Sequence, residues 1–293
     1  MSYHPHETLL QEARAKSELW RFALGVVLVI VVWFALSLLS DVFLLPVLLA
    51  ATDQADFITG TNPAGMAMLL GSFIYAIVAV GLVVQGLHHR SLGSVIGPKH
   101  RAIWQGTRVL RILAVLVAVL VILPPYSMGA PLGRNLDLAR WLMWLPLSLA
   151  LVLIQVSAEE ILFRGYLQQG LAARFKSPLV WMVLPSALFG MGHYMPAEAG
   201  ENAWLIVAGS TLYGVLMADL TARSGSLGPA IAVHFVNNVW SLLVIASPSS
   251  LHGLALYLHP FAMDDIAALR PWLLVDLLVI LVSWLAARVA IRA

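Results

Sequence analysis

The first group of residues that could carry out chemistry lies in the segment Ser157–Tyr166, where Glu159, Glu160 and Arg164 interrupt an apolar stretch. At 3.6 residues per turn, Glu160 and Arg164 lie on one face of a helix and can form an ion pair. Glu159 is rotated by about 100° from that face and lacks this partner. The spacing therefore predicts a structural pair, Glu160 with Arg164, and leaves Glu159 available for chemistry.

Two further segments place histidines within apolar stretches. Phe189 precedes His193 by four residues, and His234 precedes Asn238 by four, so His234 and Asn238 share one helix face. Counted from the flanking turns at about 1.5 Å per residue, Glu159 and His193 reach nearly the same level. His234 and Asn238 lie roughly 14–20 Å beyond their own turn. Polar residues from three helices can therefore converge in one layer.

Each of these groups also has a purely structural interpretation. The carboxylates and Arg164 could form an ion-pair lock, His193 could bond a backbone carbonyl, and His234 with Asn238 could clamp two helices together. Asp219 is interpreted as a member of a structural pair or as a group at the membrane interface. Charged groups within an apolar span are costly and need a partner or a function, and three groups at matching levels favour a functional site.

The overall composition excludes several classes of protein. Of the 293 residues, 60% are hydrophobic and 11% are charged, against about 45–50% and about 25% in soluble domains. A soluble enzyme and a nucleic-acid-binding module are therefore excluded, and no nucleic-acid partner is expected. The chain has no cysteine, which excludes disulfides, thiolate metal sites and a cysteine nucleophile.

The apolar runs predict an all-α polytopic membrane protein, because a helix of about 20 mostly apolar residues can cross a bilayer. Eight spans are predicted, at Trp20–Leu45, Met66–Leu87, Val109–Pro124, Trp141–Gly170, Leu179–Tyr194, Ala203–Leu220, Leu227–Ala246 and Trp272–Ala290. With the N-terminus in the cytoplasm, every lysine and arginine except Arg134, Arg140 and Arg270 falls on the cytoplasmic side. The positive-inside rule then places both termini in the cytoplasm. A multi-pass protein of the cell (inner) membrane is expected, with the lipid bilayer as one partner.

The chain divides into four expected regions. Residues 1–19 form a cytoplasmic N-terminal segment, 20–140 hold three accessory spans, 141–246 form the helical bundle with the polar groups, and 247–293 hold an outer loop and the last span. Residues Thr8–Leu19 are expected to form either a short interfacial helix, with Glu12 and Lys16 paired one turn apart, or a frayed polar terminus.

In these motifs the sequence resembles the CPBP intramembrane protease family, also called the ABI or CAAX protease type 2 family. The family pattern EExxxR, FxxxH and HxxxN is matched in order on three predicted helices, within about Trp141–Ala246. Ser224-Gly225-Ser226-Leu227 resembles the glycine turn that commonly precedes the last motif. The first three spans and the eighth carry no recognised motif.

The resemblance implies a role for each matched residue. Glu159 would activate a water with help from His193, while His234 and Asn238 would stabilise the oxyanion, and Glu160 with Arg164 would shape the site. Hydrolysis of a peptide bond needs a base and hydrogen-bond donors where negative charge develops, so the residue types agree with these roles.

The involvement of a metal stays open at this point. Glu159, His193 and His234 could supply a carboxylate and two imidazoles, a common set of ligands for catalytic zinc. The chain lacks the compact HExxH pattern of helical zinc sites. We therefore expect water activation without an obligatory metal, and zinc remains an alternative.

The resemblance predicts an endopeptidase that acts on a membrane-embedded or membrane-adjacent peptide or protein. Two alternatives remain: a proton- or ion-coupled transporter that uses the intramembrane Glu and His groups, and a non-catalytic membrane immunity or adaptor protein. The transporter predicts inverted repeats, which the sequence does not show.

Overall fold

The computed structural model describes residues 3–49, 59–123 and 131–292 of the chain. Helices dominate this part of the protein, and α1 to α13 number its α-helices in chain order. Their bounds are Glu7–Arg14, Leu19–Leu49, Pro63–Ser72, Ile74–Gly86, Leu92–Ile96, Lys99–Ile122, Leu138–Glu160, Gln168–Ala172, Leu184–Met191, Pro196–Ala199, Ala203–Ser224, Gly228–Val239 and Ile266–Ile291.

Short segments of other helix types continue or precede several of these helices. The 3₁₀ segments are His4–His6 and Gly200–Asn202. The π-helical segments are Ile161–Leu167, Leu179–Val183 and Trp240–Val244. A π turn within a helix often marks a functional position. Here the first π segment follows Glu160 directly, and the last follows Asn238 after one residue.

The predicted all-α polytopic membrane fold is confirmed. Six helical stretches in the described ranges are long and apolar enough to cross a bilayer, and two apolar stretches are shorter. The long stretches are Leu19–Phe43, Pro63–Gly86, Lys99–Ile122, Leu138–Ala172, Pro196–Ser224 and Ile266–Ile291, and the shorter ones are Leu179–Met191 and Gly228–Val244. Each of the eight overlaps one predicted span.

A small sheet modifies the helical fold at one end. Gly133–Arg134 (β1) pairs antiparallel with Tyr257–Leu258 (β3), which pairs parallel with Ile245–Ala246 (β2). The seventh predicted span, Leu227–Ala246, agrees with the structure to within two residues, because the helical stretch ends at Val244 and the next two residues are extended. Trp141 stabilises this end by donating its indole N–H to the Leu243 carbonyl at 2.8 Å.

The N-terminal segment packs against the bundle, which neither sequence-based alternative described. Leu9 and Leu10 of α1 are buried, with 1% and 4% of their surface exposed. Helix α1 ends at Arg14. Lys16 lies beyond that end, so the one-turn spacing that predicted a pair between Glu12 and Lys16 is lost.

Small residues bring α9 and α11 into close contact. A Cβ atom on Gly190 would lie 2.1 Å from Oγ1 of Thr211, and one on Gly214 would lie 2.8 Å from Cβ of Ser186. Only glycine fits at such distances, and small residues are the usual means of close helix packing in membranes. This close contact determines which face of α11 lies against α9, the helix that carries Phe189 of the second motif.

The last motif is introduced by a tight turn at the start of α12. Gly225 has a φ of +68° and ends α11 in the left-handed conformation, which glycine adopts at little cost. Pro229 stands in the first turn of α12, where its missing N–H removes no helical hydrogen bond. A Cβ on Gly228 would lie 2.0 Å from the carbonyl oxygen of Ala102, so α12 also packs closely on α6. His234 follows on this well-packed part of α12.

Candidate active site

Glu160 is the centre of a buried polar cluster. It is the last residue of α7, and its side chain is fully buried. Nη1 of Arg164, in the following π segment, lies 3.1 Å from Oε1 of Glu160. Nδ1 of His234 lies 2.8 Å from the same oxygen. A carboxylate beside a guanidinium is a hydrogen-bond acceptor, so Nδ1 of His234 is the donor in this contact.

Glu159 approaches the same histidine from its other side. Oε2 of Glu159 lies 3.4 Å from Nε2 of His234, and the Glu159 side chain is 15% exposed. His234 therefore lies between two adjacent carboxylates of one helix. The sequence predicted that Glu159 and His193 together activate water, and it grouped Glu159, His193 and His234 as possible metal ligands. Of the two histidines, the structure places His234 against Glu159.

His193 lies two residues beyond the end of α9 and is half-buried. Its Nδ1 lies 2.9 Å from the carbonyl oxygen of Phe189. Because a carbonyl only accepts, this contact puts the proton on Nδ1 and leaves Nε2 of the neutral ring as an acceptor. The Phe189 ring contacts the rings of both His193 and His234, with centroid separations of 4.7 and 6.0 Å. Phe189 thus joins His193 to the cluster.

The same phenylalanine covers the buried arginine. The guanidinium carbon of Arg164 lies 4.5 Å from the centroid of Phe189 and 5.9 Å from that of Phe163. Such cation–π contacts favour a guanidinium that is removed from water. The contact gives the Phe of the FxxxH motif a physical role, since its ring stabilises Arg164 and its carbonyl orients His193.

Asn238 is held by a residue that the sequence did not single out. Its Nδ2 donates to Oε1 of Gln155 at 2.8 Å, and its Oδ1 accepts from Nδ2 of Asn237 at 3.2 Å. Gln155 lies on α7, one turn before Glu159. A polar residue four positions before Glu159 within an apolar helix was the available signal for this partner.

Tyr213 is the second residue that the sequence analysis missed. It lies on α11, in a predicted span without a motif, and is 5% exposed. Its ring meets that of His234 edge to face, with 5.2 Å between the centroids. No spacing in the sequence connects these two residues, and a tyrosine within an apolar helix gives no distinct signal.

Asp219 belongs to a separate cluster near the C-terminal end of α11. Nε of Arg223 lies 2.8 Å from both of its carboxylate oxygens. The Tyr3 hydroxyl donates at 2.8 Å, and the Trp284 indole N–H donates at 3.1 Å. Burial, followed by the hydrogen bond to Asp219, raises the pKa of Tyr3 above its usual value. These contacts match the structural interpretation of Asp219.

The ligand set suggested for zinc is not assembled. Within residues 3–49, 59–123 and 131–292, no three His, Asp or Glu side chains are arranged so that they could hold a metal ion. Of the suggested ligands, Glu159 and His234 lie together. We therefore assign no step of the chemistry to a metal.

The segment that holds this cluster is similar to a known protein family. Residues 141–240 match the family model described as type II CAAX prenyl endopeptidase Rce1-like. The predicted resemblance to the CPBP family is confirmed for these residues. The matched Rce1-like segment contains all seven residues of the three motifs, and also Gln155 and Tyr213.

One relative extends the similarity beyond the family segment. The chain is 30% identical to the uncharacterized protein YyaK of Bacillus subtilis (strain 168) over 189 residues. The aligned residues make up 62% of this chain. The alignment spans 61% of the length of YyaK. No solved structure matches the chain.

Proposed function

We propose that this protein is an intramembrane endopeptidase in which Glu159 activates the water that attacks a peptide bond. The observation that carries the proposal is the placement of His234 between Glu159 and Glu160, buried within an Rce1-like bundle. A buried histidine between two carboxylates can take up and release a proton without leaving its site, which peptide hydrolysis requires.

The contacts of Glu160 support a definite direction for the proton. Arg164 and His234 both approach Oε1 of Glu160, so Nδ1 of His234 keeps its proton. Its Nε2, which faces Glu159, carries a proton only when the ring is cationic. Glu160 thereby acts as the residue that orients His234, in the way that a carboxylate orients the histidine of a catalytic triad.

The proposed reaction begins when Glu159 takes a proton from water and the water oxygen bonds to the carbonyl carbon of the substrate. The carbonyl oxygen becomes an oxyanion, which the side-chain amide of Asn238 stabilises. His234 stabilises it as well once Nε2 has taken up a proton and the ring is cationic. The proton held by Glu159 then passes to the amide nitrogen, directly or through Nε2 of His234, as the C–N bond breaks. The products are a carboxylic acid and an amine, and Glu159 returns to its starting state.

His193 and Gln155 complete the proposed assignment. Nε2 of His193 is an acceptor because Nδ1 is bonded to Phe189, so His193 is suited to assist in taking a proton from water. Gln155 holds the amide of Asn238 beside the helix that carries Glu159. Such support from neighbouring side chains is needed to keep an oxyanion donor in position.

The proposed substrate is a peptide or protein within the membrane or at its surface. Glu159 is the more accessible of the two carboxylates, at 15% exposed against 0% for Glu160, so substrate and water are expected to approach from its side. The family description names prenyl endopeptidases, so the test of this proposal includes a peptide that carries a prenyl group.

The test is proteolysis by purified full-length protein in lipid nanodiscs. The probes are a pool of synthetic transmembrane and juxtamembrane peptides and a farnesylated peptide with a C-terminal CAAX sequence, and cleavage is measured by mass spectrometry in H₂¹⁸O. We expect one ¹⁸O atom in the new carboxyl group. Glu159→Gln should lower the rate by about 10²–10⁴-fold, the usual contribution of a general base.

The matched control is Glu201→Gln, because the Glu201 side chain is 77% exposed and its ion-pair partner is Arg270, which is outside the motifs. It should cleave as the wild type does. Equal cleavage by wild type and Glu159→Gln would contradict the proposal. Elemental analysis of the same samples tests the metal alternative, since stoichiometric zinc that is lost in Glu159→Gln and His193→Ala would make these residues ligands.

A further inference from the structure

Several buried polar atoms in the cluster around His234 have no hydrogen-bond partner within the described part of the chain. They are Oε2 of Glu160, Nη2 of Arg164 and the hydroxyl of Tyr213. Oε2 of Glu159 and Nη1 of Arg164 also lack a hydrogen bond, although each lies in an ion-pair contact. Buried polar groups are nearly always paired, because leaving one unpaired costs free energy. Unpaired atoms concentrated in one layer therefore point to a polar ligand that they share.

The Tyr213 hydroxyl is the least expected member of this group. Its ring packs on Phe189 and His234, with centroid separations of 6.2 and 5.2 Å. The Phe189 ring also lies 4.5 Å from the guanidinium carbon of Arg164, so Tyr213 packs on a ring that covers the buried ion pair. A phenylalanine would supply the same packing, so the packing alone does not account for the oxygen atom.

We propose that Tyr213 is a further catalytic residue whose hydroxyl binds the hydrolytic water beside Glu159 and Glu160. A buried water needs two to four polar partners, and the phenol and the unpaired carboxylate oxygens supply them. A phenol can both donate and accept, so it can hold the water oxygen while Glu159 takes the water proton. This inference rests on the proposed function and adds a residue from a fourth helix, α11, to the site.

The close contact between α9 and α11 explains how the hydroxyl is kept in place. Gly190 and Gly214 allow these helices to approach, and Tyr213 lies next to Gly214 on α11. The phenol ring is held between Phe189 and His234 and has little freedom to turn. A fixed donor is more effective in catalysis than a mobile one, because it needs no reorganisation during the reaction.

The direct test is an experimental structure of the wild type and of Tyr213→Phe at about 2 Å resolution, in detergent or nanodiscs. We expect an ordered water within hydrogen-bond distance, about 2.7–3.2 Å, of the Tyr213 hydroxyl and of one carboxylate oxygen. The water should be lost in Tyr213→Phe while the ring stays in place. A wild-type structure without a water at this hydroxyl would overturn the inference.

The kinetic test compares Tyr213→Phe with Tyr166→Phe. The Tyr166 hydroxyl lies 3.0 Å from Nε2 of His88, so this control also removes a buried phenol oxygen, but one bonded elsewhere. Tyr213→Phe should lower kcat at least about tenfold, leave KM within about twofold and shift the pH profile of kcat, as expected for a group that contacts the reacting water. Tyr166→Phe should change neither kcat nor the pH profile. An unchanged kcat in Tyr213→Phe would refute the catalytic role.

The proposed function and this inference fail in different ways. If the wild type cleaves no peptide, the proposed function fails, and the water at Tyr213 is still decided by the structures and by thermal melting. A water-bound hydroxyl predicts that Tyr213→Phe melts at a lower temperature than the wild type. An unpaired hydroxyl predicts an equal or higher melting temperature, which would contradict the inference.

Discussion

Two clusters in this protein are built on the same local element, an acidic residue followed four positions later by an arginine. In one, Arg223 contacts both oxygens of Asp219, and Tyr3 and Trp284 donate to the same carboxylate. In the other, Arg164 lies 3.1 Å from a single oxygen of Glu160, and the second oxygen has no hydrogen bond. The spacing is identical, but the degree of pairing differs.

In our proposal, this difference separates a structural ion pair, Asp219 with Arg223, from one that belongs to a reactive site, Glu160 with Arg164. A carboxylate that accepts from three side chains has its lone pairs used, so it holds α11, α13 and the N-terminal segment together. A carboxylate with an unused oxygen, beside a second carboxylate and a histidine, can still bind water or exchange a proton. Unpaired atoms in the membrane are costly, which makes their concentration at one site informative.

The largest effect on stability is expected from Arg164→Leu. Removing one partner of a buried ion pair leaves the other charge uncompensated, which costs about 3–5 kcal/mol in the free energy of unfolding. The double variant Glu160→Gln with Arg164→Leu should recover most of that stability, since both charges are gone, but should stay inactive. The measurement is unfolding in mild detergent alongside the peptide assay. A double variant no more stable than the single one would show that Arg164 acts mainly through packing.

A pH effect of similar size is expected at the N-terminal segment, through His6. Burial, opposed by the charge of Glu7 and reinforced by that of Arg14, lowers the pKa of His6 to about 4 from a usual value of 6.5. The folded state therefore binds fewer protons than the unfolded state between these values. The contribution is complete above pH 6.5 and is lost as the pH falls towards 4, by about 3 kcal/mol in total.

Thermal melting between pH 7 and pH 4 measures this loss, and limited proteolysis between residues 3 and 20 reports whether the segment is released. The non-titrating variant His6→Gln should flatten the pH dependence, whereas His4→Gln, at an exposed position, should keep it. An identical pH dependence in wild type and His6→Gln would disprove the assignment to His6.

The smallest of these effects is expected for Asp219→Asn, which weakens the fully paired cluster. Hydrogen bonds to a charged group are worth about 1.5–3 kcal/mol each, and the asparagine retains part of them, so we expect a loss of about 2 kcal/mol. Peptide cleavage should stay within about twofold of the wild type, because Asp219 is not in contact with the motif residues in our assignment. A loss of cleavage in a folded Asp219→Asn protein would remove the distinction between the two clusters.

The sequence predicted the eight apolar segments closely because hydrophobic length is a local property of the chain. The sequence did not show that the seventh helical stretch ends two residues before Ala246, where β2 pairs with a strand that comes more than ten residues later. It also missed that α1 buries Leu9 and Leu10 against the bundle, since an amphipathic helix of this length fits a membrane surface as well as a protein surface.

In the candidate site, too, the sequence predicted the local features and missed the contacts between distant segments. Motif spacing alone predicted that Glu160 and Arg164 could pair and that Glu159 would be set apart. Spacing could not show which histidine Glu159 meets, because that depends on the rotation of α12 against α7, and the structure places His234 there.

The residues of this protein by themselves determined which segments are helical, that they belong in a membrane, and which polar side chains share a helix face, because periodicity and hydrophobicity act over a few turns. Only the tertiary structure decided that Gln155 holds Asn238, that Tyr213 packs on His234, and that Tyr3 reaches Asp219. These contacts join residues that are 83, 21 and 216 positions apart in the chain, so no sequence spacing could relate them. They depend on how the helices pack, as at Gly190 and Gly214, where α9 and α11 approach closely.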